Sequence, residues 1–263
     1  MDPQIQYQTW GTGPKILFAF HGYGESASTF AFWGEALGSD HTLIAIDLPF
    51  HGRTGWKDGL EFYPEQLFRR MEDIAARVPH AGPTWGLIGY SMGGRIALQL
   101  LQNHPDRFDR IILLAPDGLK VNFWYWIATA TSLGNRLFRW TMRRPGWIFF
   151  LLRLSHALRL VNPSIYKFAV HYIDDKPVRA QLYARWTVMR KFRPNLATIA
   201  AIIRTRQLPV YLVYGKYDRI IRWQTAEKFR NRGIAATSHL ILLDTGHQLL
   251  RPQFLSLYLQ LIP

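Results

Sequence analysis

The sequence has no cysteine among its 263 residues. Disulfide bonds and thiolate metal sites are therefore excluded as sources of stability or chemistry. No apolar run reaches the roughly 20 residues of a membrane-spanning helix. The start of the chain, MDPQIQYQTW, lacks the basic and apolar regions of a secretory signal. The lack of a signal leads us to expect a cytoplasmic protein, although the lack of cysteine does not fix the compartment.

Acidic residues are scarce in one part of the chain. Residues 118–205 hold 15 lysines and arginines but two acids, Asp174 and Asp175, and so carry +13 of the formal net charge of +14. Five of the 10 tryptophans also lie there. A charge distribution this uneven points to a binding partner rather than to a particular fold.

Outside this segment, short apolar runs alternate with helical patterns. The runs predict strands over 15–20, 41–48, 84–89, 110–116, 208–215 and 238–244, and helices over 64–78, 93–105, 223–233 and 247–262. Such alternation is typical of an α/β fold with a mostly parallel sheet flanked by helices. Residues 1–117 and 206–263 would form this core, and residues 118–205 a helical insertion.

The sequence Gly89-Tyr90-Ser91-Met92-Gly93 lies between a predicted strand and a predicted helix. A serine hydroxyl becomes a nucleophile only when a base removes its proton and its position is fixed. A tight strand-to-helix turn would expose Ser91, and the glycines would leave room for it. Ser91 is therefore a candidate nucleophile; an ordinary strand–helix turn is the alternative.

Two polar residues follow later strands at the expected sheet edge. Asp218 follows the run LPVYLVYG, and His247 follows SHLILLD. The order serine, acid, histidine is the one expected for a nucleophile of this kind. Asp117, which also follows a strand, is a second candidate for the acid. The simpler interpretations are an exposed turn aspartate and a helix-cap histidine.

Two main-chain N–H groups could stabilise a negative oxygen beside Ser91. Met92 would begin a helix, and Tyr23 follows the strand that ends at His21-Gly22. Paired N–H donors of this kind form an oxyanion hole for a tetrahedral intermediate. His21 itself is expected to brace the loop rather than act as a base.

These motifs together resemble the α/β-hydrolase superfamily. The resemblance covers Lys15 to Pro116 and Leu208 to the end, through H-G-Y-G, D-L-P-F-H-G, G-Y-S-M-G-G, Y-G-K-Y-D and G-H. It implies a serine hydrolase with a Ser91–Asp218–His247 triad that cleaves a carboxylic ester or thioester through an acyl-enzyme. It also implies a helical cap, or lid, between the sixth and seventh strands, and no metal or cofactor.

Two other functions stay open at this stage. The stretch GYSMGGRIAL also resembles the menaquinone-pathway synthase that forms 2-succinyl-6-hydroxy-2,4-cyclohexadiene-1-carboxylate, a lyase with an anionic substrate. That likeness makes Arg95, with Gly22, a candidate substrate-binding residue; a surface or supporting role for Arg95 is the alternative. The third function is a non-catalytic binder of a small molecule.

The basic segment has three interpretations. It could be a lid whose aromatic stretches bind the acyl part of a small-molecule substrate. Its arginines could instead attract an anionic or amphiphilic substrate, or a membrane surface in peripheral contact. They could also simply solvate an outer face. No nucleic-acid-binding motif accompanies the charge, and we expect no nucleic-acid partner.

Overall fold

The structure, a computed structural model, describes residues 5–120, 123–158 and 173–262. Its centre is a seven-stranded sheet in the order β1-β3-β2-β4-β5-β6-β7. The strands are β1 (Tyr7–Trp10), β2 (Lys15–Phe20), β3 (His41–Ile46), β4 (Trp85–Tyr90), β5 (Phe108–Leu114), β6 (Val210–Gly215) and β7 (Ser238–Leu243).

The sheet is parallel except at one edge. β1 pairs antiparallel with β3, and each remaining neighbouring pair is parallel. Every residue of β3 and β4 is buried, as expected of strands covered on both faces. The predicted α/β class is confirmed. The edge strand β1 was not predicted, because its four partly exposed residues give no apolar run.

Helices occur between the strands and in the segment that follows β5. They are α1 (Ala31–Gly34), α2 (Pro64–Ala75), α3 (Met92–Asn103), α4 (Phe123–Ala130), α5 (Ser132–Arg143), α6 (Gly146–Ala157), α7 (Lys176–Val188), α8 (Leu196–Arg206), α9 (Gln224–Arg230) and α10 (Leu255–Gln260). Within the described ranges, none is long and apolar enough to cross a membrane.

The predicted helix over 247–262 is wrong in its first part. A single 3-10 turn, Pro252–Phe254, precedes α10, and the chain from His247 to Arg251 is a loop. Pro252 has no N–H to donate and disfavours a helical conformation in the residue before it, so a helix cannot run through this position without a break. His247 therefore lies in a loop rather than on a helix.

The chain forms two compact units. The first comprises Met1–Lys57, Phe62–Lys120 and Phe192–Pro263, and the second Asp58–Glu61 and Val121–Lys191. The whole sheet belongs to the first unit. So does α8, which the sequence analysis placed in the insertion; Asn195 at its N-terminus donates its N–H to Gln102 Oε1 across 2.6 Å.

The second unit contains α4 to α7. In chain order these helices follow β5 and precede β6, the fifth and sixth of the seven described strands. Inside the unit, the Tyr125 hydroxyl donates to the Trp186 carbonyl (3.0 Å) and the Tyr183 hydroxyl to Asn135 Oδ1 (2.9 Å). Phe138 packs its ring against the rings of Tyr183 and Trp186.

Candidate active site

Ser91 lies at the turn between β4 and α3, in the first unit. Its φ of 49° is a left-handed value that non-glycine residues rarely adopt. The turn is held on both sides, because the Ser91 N–H donates to the Leu114 carbonyl (2.9 Å) and the Asp117 N–H donates to the Ser91 carbonyl (2.7 Å). This strained but firmly bonded backbone fixes the serine Cα at the carboxyl end of the sheet.

Neighbouring glycines make the turn sterically possible. A Cβ on Gly93 would lie 1.9 Å from the Phe20 carbonyl oxygen, and one on Gly89 would lie 2.6 Å from the Gly93 carbonyl oxygen. Gly94 is equally constrained, since its Cβ would lie 2.3 Å from Pro116 Cβ. The sequence analysis predicted the need for Gly89 and Gly93. It missed Gly94, because the Gly-x-Ser-x-Gly pattern from which the need for glycine was predicted ends at Gly93.

The loops after β6 and β7 carry Asp218 and His247. They are bonded to each other, since the Tyr217 N–H donates to the Thr245 carbonyl (3.0 Å). A Cβ on Gly215 would lie 2.0 Å from the Gly246 carbonyl oxygen, so only glycine permits this close approach. Two residues 29 positions apart are thereby brought within hydrogen-bonding distance.

The three predicted side chains form one hydrogen-bonded chain. His247 Nδ1 lies 2.7 Å from Asp218 Oδ2, and His247 Nε2 lies 3.1 Å from Ser91 Oγ. An ionised carboxylate can only accept, so Nδ1 carries the hydrogen and Nε2 is left to accept from the serine hydroxyl. The Asp218 side chain is fully buried and the His247 side chain is 14% exposed.

Asp218 remains ionised in this setting. Burial alone would raise the pKa of its carboxyl, but hydrogen bonds from His247 and from the N–H groups of Ile221 and Ile220 outweigh burial, and the pKa lies below the ordinary aspartate value. Oδ1 accepts both main-chain bonds, at 2.8 and 2.9 Å, which leaves Oδ2 for the histidine. A fixed negative charge beside Nδ1 stabilises a protonated imidazole.

The sequence analysis missed two further residues near His247. The half-buried Glu25 accepts a hydrogen bond from the Gly22 N–H across 3.1 Å, and the charge of His247 acts on its carboxyl. Burial raises the pKa of the Glu25 carboxyl, while the bond from Gly22 and the charge of His247 act in the opposite direction. The motif H-G-Y-G-E places this acid three residues after Gly22, but its spacing alone does not reveal the burial.

Tyr90, the residue before Ser91, is the second. Its hydroxyl donates to the His247 carbonyl across 3.0 Å, and the two rings lie 5.5 Å apart. Burial, followed by the negative charges of Glu25 and Asp218, raises the pKa of the Tyr90 phenol, so the hydroxyl keeps its proton. The residue therefore ties the histidine loop to the strand that carries the serine.

The two predicted oxyanion donors, Tyr23 and Met92, follow the neighbouring strands β2 and β4. Met92 is the first residue of α3, where main-chain N–H groups have no partner within the helix. Tyr23 is in a turn in which the Glu25 N–H donates to the Gly22 carbonyl (3.3 Å) and Gly24 has a φ of 79°. His21 Nε2 accepts from the Leu48 N–H (3.1 Å), so this histidine does brace the loop.

The remaining predicted residues have structural partners. Arg95 is buried on α3, with its Nε 3.4 Å from Asp117 Oδ2. Asp117 therefore faces Arg95, while Asp218 is the acid bonded to His247. Gly22 uses its N–H on Glu25, and a Cβ there would lie 3.0 Å from Tyr90 Cε1. Across the residues that the structure describes, no three histidine or acidic side chains are grouped as metal ligands would be.

Comparison with known proteins agrees with this architecture. Residues 15–250 match the family described as alpha/beta hydrolase fold. The pimeloyl-[acyl-carrier protein] methyl ester esterase of Salmonella heidelberg (strain SL476) is 31% identical over 112 residues, which are 42% of this chain and 40% of that enzyme. The matched region thus spans less than half of that relative.

Solved structures share the fold over nearly the whole chain. A carboxylesterase structure from Nitrososphaera gargenis superposes with a TM-score of 0.62 at 16% identity, covering 98% of this chain and 92% of the other. The thioesterase domain from the curacin biosynthetic pathway gives a TM-score of 0.61 at 15% identity, covering 99% and 95%. Identities this low establish the fold and nothing finer.

Proposed function

The chain belongs to the α/β hydrolase fold family, and from that premise we propose that it is a serine hydrolase that cleaves a carboxylic ester or thioester. The observation that carries the proposal is the hydrogen-bonded series from Ser91 Oγ to His247 Nε2 (3.1 Å) and from His247 Nδ1 to Asp218 Oδ2 (2.7 Å). We assign these residues as nucleophile, general base and orienting acid.

The first half of the reaction forms an acyl-enzyme. His247 Nε2 takes the hydroxyl proton as Ser91 Oγ attacks the substrate's acyl carbon. The N–H groups of Met92 and Tyr23 donate to the oxygen that becomes negative in the tetrahedral intermediate. His247 then gives its proton to the departing alcohol or thiol, and the acyl group stays on the serine.

The second half releases the acid. A water molecule gives a proton to His247 as its oxygen attacks the acyl carbon, and a second tetrahedral intermediate forms. Its collapse breaks the bond to Ser91 Oγ, which regains a proton from His247. Asp218 keeps the imidazole in the productive tautomer and balances its charge in both halves.

The comparisons favour ester cleavage over the lyase alternative, because the curated relative is an esterase by name. Only the type of bond is carried over to this chain, since the match covers 40% of that enzyme. The excess of basic residues over 118–205 would suit an acyl substrate that is anionic or amphiphilic. The burial of Arg95 against Asp117 makes that arginine a weaker candidate for direct substrate contact.

A fluorophosphonate probe tests the proposal, because it labels activated serines covalently. We expect labelling of the wild-type chain, none of Ser91→Ala, and normal labelling of Ser256→Ala, a change at an exposed serine. With p-nitrophenyl esters of increasing chain length and a matching thioester, Ser91→Ala should lower kcat/KM by at least about 10⁴-fold. Unlabelled wild-type protein that turns over no ester would instead identify a non-catalytic binder.

A further inference from the structure

The helix α6 has no buried residue. Its exposed larger apolar side chains recur every three or four residues, which places them on one face of the helix. We call these residues the α6 stripe: Trp147, Phe150, Leu151, Leu154 and, directly after the helix, Leu158. Each is exposed, Phe150 by 66%. A continuous exposed apolar stripe of this kind marks a contact surface.

The stripe continues onto α5. The rings of Trp140 and Trp147 stack with their centroids 6.0 Å apart, so the two helices share an exposed aromatic pair. Leu133 and Leu137 extend the same side of α5 toward its N-terminus, and Leu133 is 76% exposed. The apolar surface therefore spans two helices rather than a single turn.

Arginines lie beside these apolar residues. Arg143 and Arg144 follow Trp140 by three and four residues, and both are exposed. From residue 123 to residue 158 the sequence has five arginines and no aspartate or glutamate. Asp175, one of the two acids that follow, accepts from the Val178 N–H as the cap of α7. The surface thus combines apolar side chains with positively charged ones, and residues 123–158 contain no carboxylate that could neutralise them.

We propose that the exposed apolar and arginine side chains of α5 and α6 bind the surface of an anionic phospholipid bilayer. Tryptophan and phenylalanine partition into the interfacial region, and arginine pairs with lipid phosphate. A 12-residue helix is about 18 Å long, short of the roughly 30 Å hydrocarbon core. The two helices would therefore lie in the interface rather than span the membrane.

A second copy of the chain fits this surface less well. Two such faces would bring like charges together, whereas an anionic bilayer supplies the opposite charge over its whole area. A bilayer also accepts tryptophan and leucine side chains without a shaped pocket. Charge complementarity and the mixed apolar–basic composition therefore favour the lipid surface.

Co-sedimentation with vesicles tests the inference, using the full chain as Ser91→Ala so that no lipid is cleaved. We expect binding to phosphatidylcholine vesicles that contain 30% phosphatidylglycerol, about tenfold weaker binding to pure phosphatidylcholine, and a severalfold loss in high salt. Binding does not depend on turnover, so its failure is distinguishable from failure of the proposed hydrolase function.

Paired variants separate the two contributions. Phe150→Ser with Leu154→Ser, and Arg143→Gln with Arg144→Gln, should each weaken binding about tenfold. Phe150→Leu with Leu154→Met keeps the stripe apolar, and Arg69→Gln with Arg77→Gln removes the same charge from exposed positions in or beside α2; both controls should bind normally. Circular dichroism and thermal unfolding verify that each variant is folded.

Three outcomes would overturn the inference. One is absence of binding to anionic vesicles. Another is binding that is unchanged in the Phe150→Ser, Leu154→Ser variant, which would mean that the arginines alone make the contact. The third is self-association of the chain that the Phe150→Ser, Leu154→Ser variant abolishes, since the surface of α5 and α6 would then be an interface between copies.

Discussion

The hydroxyl of Tyr90 donates to the main-chain carbonyl of His247 across 3.0 Å. These two residues are 157 positions apart, and Tyr90 directly precedes Ser91. This side-chain bond therefore joins the end of β4, next to Ser91, to the loop that carries His247. The bond can hold the imidazole in line with Ser91 without taking part in proton transfer, which makes Tyr90 a positioning residue.

Replacing Tyr90 by phenylalanine should lower kcat about three- to tenfold and leave KM nearly unchanged, because the ring stays and only the tether to the His247 loop is lost. Steady-state kinetics with one p-nitrophenyl ester measures both constants. Tyr211→Phe, the same change on β6, is the control and should keep both constants. A rise in KM without a fall in kcat would instead mean that the hydroxyl contacts substrate.

Asp218→Asn should lower kcat/KM by about 10⁴-fold, because the amide no longer fixes the productive tautomer of His247 or balances its charge. Asp117→Asn should stay within about tenfold of wild type, since Asp117 faces Arg95. We would measure kcat/KM of both variants below their unfolding temperatures, because Asp117→Asn removes the carboxylate that Arg95 contacts. Equal losses in the two variants would contradict our assignment of the acid.

Glu25→Gln should change the pH dependence of stability. The pKa of Glu25 is raised on folding, chiefly by burial. The contribution of Glu25 to the stability of the fold is therefore fully present below the unfolded pKa and is lost as pH rises through the folded pKa. The variant has no such titration and can still accept the Gly22 N–H. Its Tm relative to wild type should therefore increase from pH 4 to pH 7.

Thermal unfolding at several pH values measures that difference, with Glu35→Gln, a change at an exposed glutamate, as the control. The control should give a smaller change in relative Tm over the same range. A relative Tm of Glu25→Gln that falls as pH rises would mean that the ionised carboxylate stabilises the fold, opposite to the direction expected from its burial.

Gly93→Ala should prevent stable folding, or cost more than about 4 kcal/mol, because its Cβ would lie 1.9 Å from the Phe20 carbonyl oxygen. Gly55→Ala is the matched change in the same unit, at a position with no atom within 4 Å of the added carbon. It should stay within about 1 kcal/mol of wild type. Urea unfolding gives the free energy of unfolding of both variants. A stable Gly93→Ala protein would show that the turn at Ser91 can widen to accept the added carbon.

The fold could be predicted because its central strands are buried on both faces and therefore appear in the sequence as apolar runs. Lys15–Phe20 has the predicted bounds, and β3 ends two residues before the predicted limit at Leu48. The edge strand β1 could not be found in this way, since its four residues, Tyr7–Trp10, form no apolar run. The break in the predicted helix 247–262 was foreseeable from Pro252, but the apolar pattern around this proline favoured a continuous helix.

By itself the sequence determined the alternation of strands and helices, the glycine-flanked serine, and the order of Ser91, Asp218 and His247, because these depend on local spacing and steric size. Only the tertiary structure decided which acid meets the histidine, and that Glu25 and Tyr90 lie near it. Those relationships depend on which loops meet at the sheet edge. The tertiary structure also decided that the α6 stripe is exposed. The sequence could not, since an apolar pattern is the same whether it packs against a protein core or contacts a lipid surface.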